Sequence, residues 1–152
     1  PFSTQYAIMI KFLSTEEEKR VIDCIKEAEA ATTGEIRVHL QGKVQKTAWE
    51  DALAVFDHLK MADTQDRNGV LIFIVPKDHQ LVIIGDKGIH DRVMNHFWVG
   101  VRDEMLLHFR NKDFAGGMCA GVKLIGAKLQ KHFPCGDADT ENELPDDISY
   151  DM

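Results

Sequence analysis

The chain has 152 residues, 44% of them hydrophobic and 28% charged, the ordinary mix of one soluble globular domain. A collagen-like or wholly disordered chain is excluded, and no apolar run approaches the roughly 18–20 residues that span a bilayer. The net charge of −7 sits at the C-terminal end, where Asp137, Asp139, Glu141, Glu143, Asp146, Asp147 and Asp151 follow Cys135 with no Lys or Arg among them. The preceding body is formally neutral, a poor counter-surface for phosphate backbones, so nucleic acid is not an expected partner.

Cys24, Cys119 and Cys135 are few, odd in number and never spaced C-x-x-C. They read as reduced thiols of a cytoplasmic protein rather than a disulfide frame, and a monomer is expected. The stretch Pro1 to Tyr6 lacks a basic region, and Ala7 to Ile10 is too short for a signal-peptide core. A chain beginning with Pro is expected to have lost its initiator Met or a longer leader.

Ser14-Thr15-Glu16-Glu17 has the spacing of a capping box, and Val21, Ile22, Ile25 and Ala28 recur at helical intervals. A helix over 15–31 is predicted, stopped near Gly34. Glu35 to Leu40 alternates strictly, with Ile36, Val38 and Leu40 on one face of a strand and Glu35, Arg37 and His39 on a more polar one. Residues 47–60 carry Trp49, Ala52, Leu53, Phe56 and Leu59 on one expected helical stripe. After a polar turn, Val70 to Val75 is continuously apolar, as in a central strand covered on both faces. Pro76 to His79 is turn chemistry, and Leu81 to Ile84 is expected to return as the second arm of a hairpin.

The rest of the body reads as helical. Ile89, Val93 and Phe97 mark a short helix, Val101 to Phe109 a second, and 113–132 a third. Gly117, Gly121 and Gly126 on that last helix each cost roughly 0.8–1 kcal/mol relative to Ala, with close packing on the sheet as the expected compensation. The predicted order is α-β-α-β-β-α-α-α. It implies an α/β fold, a three-layer α/β/α sandwich on a small mixed sheet of three to four strands, spanning residues 12–134. Residues 135–152 form an acidic tail expected to be flexible.

A strand–helix–strand unit makes the first two strands parallel with a right-handed crossover, so their starts share one edge of the sheet. The hairpin returns the end of the third strand to that edge. Glu35, Asp66-Arg67-Asn68 and Asp86 are thereby gathered, with Asp91 one helical turn beyond Asp86. Carboxylates crowded at one rim repel unless a positive charge sits among them. Arg67 is one source, and a cation is the other; oxygen ligation favours Ca²⁺ or Mg²⁺ over Zn²⁺. Alternatively these are capping and turn residues, with Asp86 capping the helix near Gly88 and Glu35 paired with Arg67.

Thr33-Gly34-Glu35-Ile36-Arg37-Val38, Asp66-Arg67-Asn68-Gly69-Val70-Leu71-Ile72, Gly85-Asp86-Lys87-Gly88-Ile89, Phe97-Trp98, Phe114-Ala115-Gly116-Gly117 and His132-Phe133-Pro134 together resemble the TPM domain family over about residues 12–134. That family includes thylakoid-lumen proteins of photosystem II repair and many bacterial proteins. The resemblance implies an α/β sandwich, an acidic cleft for Ca²⁺ or related divalent ions, and in some members an acid-phosphatase activity. Many relatives carry a signal peptide and a transmembrane tail; neither pattern occurs in this sequence.

Other motifs are weaker. Asp137-Ala138-Asp139-Thr140 has the D-x-D-x-T form of aspartyl-phosphate enzymes but follows a helix instead of a buried strand. The same stretch fails as an EF-hand, with Asn142 at the sixth position and Ile148 at the twelfth. His90 and His96 are off one helical face for zinc, His39 reads as a satisfied histidine, Trp98 as core, and no phosphate-cradling P-loop is present. The expectation is therefore a soluble Ca²⁺- or Mg²⁺-binding domain using Glu35, Asp66, Asp86 and Asp91, which acts through a partner protein. The alternative is a metal-dependent phosphatase using Arg67 and Asp86.

Overall fold

Ser14 starts the first helix as its spacing to Glu17 predicts. In the computed structural model, which describes residues 12–135 and 148–151, the Ser14 hydroxyl accepts from Glu17 N–H at 3.1 Å. The Glu17 carboxylate in turn accepts from Ser14 N–H at 3.0 Å, a reciprocal capping box. Helix α1 (Thr15–Glu29) buries Val21 and Ile25. Strand β1 (Glu35–Gln41), helix α2 (Ala48–His58), strand β2 (Gly69–Val75) and strand β3 (Gln80–Gly85) follow. Then come a single turn, α3 (Lys87–His90), two longer helices, α4 (Asn95–Arg110) and α5 (Phe114–His132), and a short strand β4 (Ser149–Asp151).

The sheet order is β3-β2-β1-β4. β1 runs parallel to β2, with Glu35 opposite Gly69, and β2 runs antiparallel to β3, with Val70 opposite Gly85. Strand alternation then divides the core. Ile36, Val38 and Leu40 of β1 join Val70, Ile72 and Ile74 of β2 beneath α1, α4 and α5. On the other face Leu71, Phe73 and Val75 pack with Ala52, Val55 and Met61 at α2. β2 is buried along its whole length, which is why its sequence is apolar on both faces. Each such Ile, Leu or Val contributes roughly 1.5–3 kcal/mol by burial. The predicted α/β/α sandwich is the fold.

Four local expectations differ. On α2, Trp49 and Leu53 are 54% and 42% exposed, while Asp51, Ala52 and Val55 face the sheet. Ala52, Phe56 and Leu59 of the predicted stripe do pack against the sheet, and Asp51, hydrogen-bonded to the preceding loop, takes an inward position while Trp49 and Leu53 face outward. Phe97 belongs to α4, not to the turn before it, because the chain is extended at Met94 and re-enters a helix at Asn95. The glycines of α5 face helices, not the sheet: a methyl at Gly117 would meet Phe109, at Gly121 Met105, and at Gly126 Ala28. Ser149 to Asp151, within the segment assigned to the acidic tail, add a fourth strand parallel to β1. Buried Ile148 and half-buried Tyr150 bring the apolar surface that the surrounding acids lack. The D-x-D-x-T stretch and the remaining tail acids lie outside the described residues.

Candidate functional site

The predicted gathering at the strand-start edge is present, through backbone as well as side chains. Asp86 N–H donates to Gly69 O at 2.8 Å and Gly88 N–H to Arg67 O at 2.7 Å, so the end of the hairpin is laced to the turn before β2. Gly88 is obligatory here, since a Cβ would overlap the carbonyl oxygens of Asp66 and Arg67. Glu35 N–H reaches Asn68 O from the start of β1 at 3.5 Å.

Asp86 is buried and held by three hydrogen bonds. Its carboxylate caps α3 by accepting from Lys87 N–H at 2.8 Å, and takes Arg67 Nε at 2.7 Å and Nη2 at 2.8 Å. This two-pronged pair holds the Arg67 proton more firmly than usual, through the Asp86 hydrogen bonds and charge, with Asp63 adding. Arg67 itself is half exposed and sits in the left-handed region, φ 51°. Asp86 thus caps as one reading expected, but Arg67 pairs with Asp86 and not with Glu35. The 19-residue separation brings these two connections face to face.

The other carboxylates are arranged around this pair. Asn68 Nδ2 donates to Thr33 Oγ1 at 3.1 Å, and Thr33 Oγ1 donates to exposed Asp66 Oδ2 at 3.4 Å. Asn68 is 1% exposed, and its Oδ1 is buried with no hydrogen-bond partner among the described residues. Glu35 is 2% exposed. Buried Glu29 lies beside it and accepts from Ile36 N–H at 2.8 Å. Asp91 is exposed at the end of α3, its N–H bonded to Lys87 O. Glu35, Asp66 and Asp86 therefore share one edge. Among the described residues, however, no three His, Cys, Asp or Glu side chains converge on one point.

A family model for the TPM domain matches residues 9–128. This chain belongs to the TPM domain family. Among solved structures it is similar to the BA42 protein of the psychrophilic bacterium Bizionia argentinensis. The two are 42% identical, the match covers 92% of this chain and 96% of that one, and the TM-score is 0.86. The N-terminal domain of a P. gingivalis protein shares the fold at 17% identity, covering 84% and 85% of the two chains with a TM-score of 0.68. The N-terminal domain of the cg2496 protein from Corynebacterium glutamicum does so at 14% identity, 77% and 74% coverage and a TM-score of 0.59. No curated protein matches. Among the described residues of this TPM domain, no helix is long and apolar enough to cross a membrane.

Two polar residues that sequence patterns missed belong to this edge. Glu29 continues the buried stripe of Val21 and Ile25 at four-residue steps, so a carboxylate on an apolar stripe was the available signal. The role of Thr33 had none, because its partners arrive from residues 66 and 68. Trp98 lies over Gly85 beside the same edge, where a Cβ on the glycine would overlap its ring.

The opposite end of β1 of the TPM domain carries a second polar group. His39 is 4% exposed, stacked on Phe73 with ring centroids 5.7 Å apart. Ser149 Oγ donates to Val38 O at 3.3 Å, which leaves it to accept from His39 Nδ1–H at 2.7 Å. That assigns the neutral Nδ1–H tautomer and leaves Nε2 a buried lone pair. Burial pushes the imidazole down to about 4; Asp151 opposes this, while Arg37 and His58 reinforce it. His39 is thus a buried member of the sheet interior, joined to β4.

Proposed function

We propose that this TPM domain binds a divalent cation, Ca²⁺ or Mg²⁺, at the edge formed by Glu35, Asp66 and Asp86, with Asp91 available from the end of α3. The observation that carries this reading is Asn68 Oδ1, a buried neutral oxygen with no hydrogen-bond partner among the described residues, on the edge that Glu35 and Asp86 share through the backbone of residues 68 and 69. A buried acceptor of this kind calls for a donor or a cation, and hard ions collect carboxylate and amide oxygens together. The charge balance agrees. Asp63, Asp66 and Asp86 outnumber Arg67 and Lys87 here, and Arg67 is already committed to Asp86. Asp66 is exposed and held by one long hydrogen bond, so it can turn toward an ion at little cost.

In this role the domain is a binding module whose stability, and through it the docking of a partner protein, follows the ion. An ion that binds only the folded chain stabilises it by about 2.7 kcal/mol at 100 times Kd. Addition of Ca²⁺ or Mg²⁺ should raise the Tm and shift the amide resonances of Asp66 and Asn68, and Asp66→Asn should weaken both effects. Unchanged Tm and resonances at millimolar ion refute the proposal. Ion-dependent hydrolysis of an aryl phosphate, lost in Asp86→Asn, would instead favour a phosphatase in which Arg67 steadies the phosphoryl group.

A further inference from the structure

A cavity of about 580 Å³ opens between the β2–β3 hairpin and the α4–α5 junction, far along the sheet from the acidic edge. Its size lies within the ~300–1,000 Å³ range of small-molecule sites. One wall is aromatic. Phe12 meets Phe114 edge-on at 4.6 Å, and Phe109 lies 5.7 Å from Phe114. Leu81, Leu106 and buried Met118 extend the apolar lining.

The charged side chains among the described residues that line it all carry one sign. Arg110 and Lys112 stand exposed there, with His79 across from them on the hairpin, and no carboxylate is among the described lining residues. Among the described residues neither Arg110 nor Lys112 makes an ion pair. The neighbouring acids are turned elsewhere: Asp113 accepts from Gly116 N–H and bonds His108, and Asp78 accepts from Val44 N–H. In a chain of net charge −7, an apolar cavity with an unopposed cationic mouth is complementary to an amphiphilic anion.

We propose that this cavity binds a free fatty acid, with the acyl chain against Phe12, Phe109, Phe114 and Leu81 and the carboxylate at Arg110 and Lys112. Both parts of the ligand are then recognised by different physics. Each methylene buried tightens binding about fourfold, and loss of the charged hydrogen bonds loosens it about tenfold.

The test is an amide-resonance titration of the full chain with octanoate, decanoate, decanol and acetate below micellar concentrations. Decanoate should shift resonances of Gln80, Leu81 and Phe109 to Phe114, and bind about fifteenfold more tightly than octanoate. It should also bind about tenfold more tightly than decanol, and acetate should leave these resonances unmoved. The surface double variant Arg110→Gln/Lys112→Gln should lose about tenfold for decanoate and nothing for decanol. Equal affinity for decanol and decanoate, shifts centred on exposed Trp49 and Leu53, or no binding at all would overturn the proposal.

Discussion

Replacing Asp51 with Asn tests whether one buried carboxylate organises the loop before α2. Asp51 is 6% exposed and accepts from Gln45 N–H at 2.6 Å, Lys46 N–H at 3.1 Å and Gln41 Nε2 at 3.0 Å. Asn keeps the shape but must set its NH₂ against a donor. In its better orientation the amide oxygen takes Gln45 and Gln41, and the Lys46 bond is lost. Two bonds then fall from the charged range of ~1.5–3 kcal/mol to the neutral ~0.5–1.5, and a third disappears, so Asp51→Asn should cost about 3–6 kcal/mol in urea unfolding followed by circular dichroism. The pH dependence adds a second check. Burial alone would raise the Asp51 pKa, but the Gln45 and Lys46 N–H groups, Gln41 and the Lys46 charge outweigh it and the net shift is downward. The stabilisation is then complete above the ordinary carboxylate value near 3.9 and is lost as pH falls through the lower folded value. The difference between wild type and variant should therefore close on acidification. A cost below about 0.5 kcal/mol at neutral pH, or a gap that widens in acid, refutes the reasoning.

His39, with its folded value near 4, leaves the unfolded chain to take the proton first between about 6.5 and 4, so wild-type stability should rise with pH through that window; His39→Phe should flatten this slope in urea midpoints measured across it. At Gly126 an added methyl would lie 2.8 Å from Ala28 Cβ, forcing α1 and α5 apart, so Gly126→Ala should lower stability by about 1 kcal/mol despite the ~1 kcal/mol that Ala contributes to helix propensity; a calorimetric gain would contradict the close packing. Ile148 is 6% exposed, and Ile148→Ala should cost about 2–4 kcal/mol in the same calorimetry if β4 unfolds with the rest.

Particular residues show how far a linear reading reaches. The capping box at Ser14 and Glu17 closes over three residues, and the hairpin at Pro76 to His79 over four, so each is written in local chemistry. The apolar run of β2 reports burial on both faces before any partner is known. Handedness and strand direction then bring Glu35, Asp66 and Asp86 to one edge without a single side-chain contact being specified. Asp51 and Glu29 were harder, since each is a carboxylate that helical spacing turns inward on a helix read mainly for its apolar residues.

Element types, their order and the shared edge follow from periodicity and chain connectivity, because these depend on neighbours three or four positions away and on the twist of L-residues. Which group Arg67 grips and whether Ser149 to Asp151 find a strand to pair with depend on groups far away in sequence. Those choices rest on ångström-scale distances and on which polar atoms lose their water, and such quantities come into being when the layers close on one another.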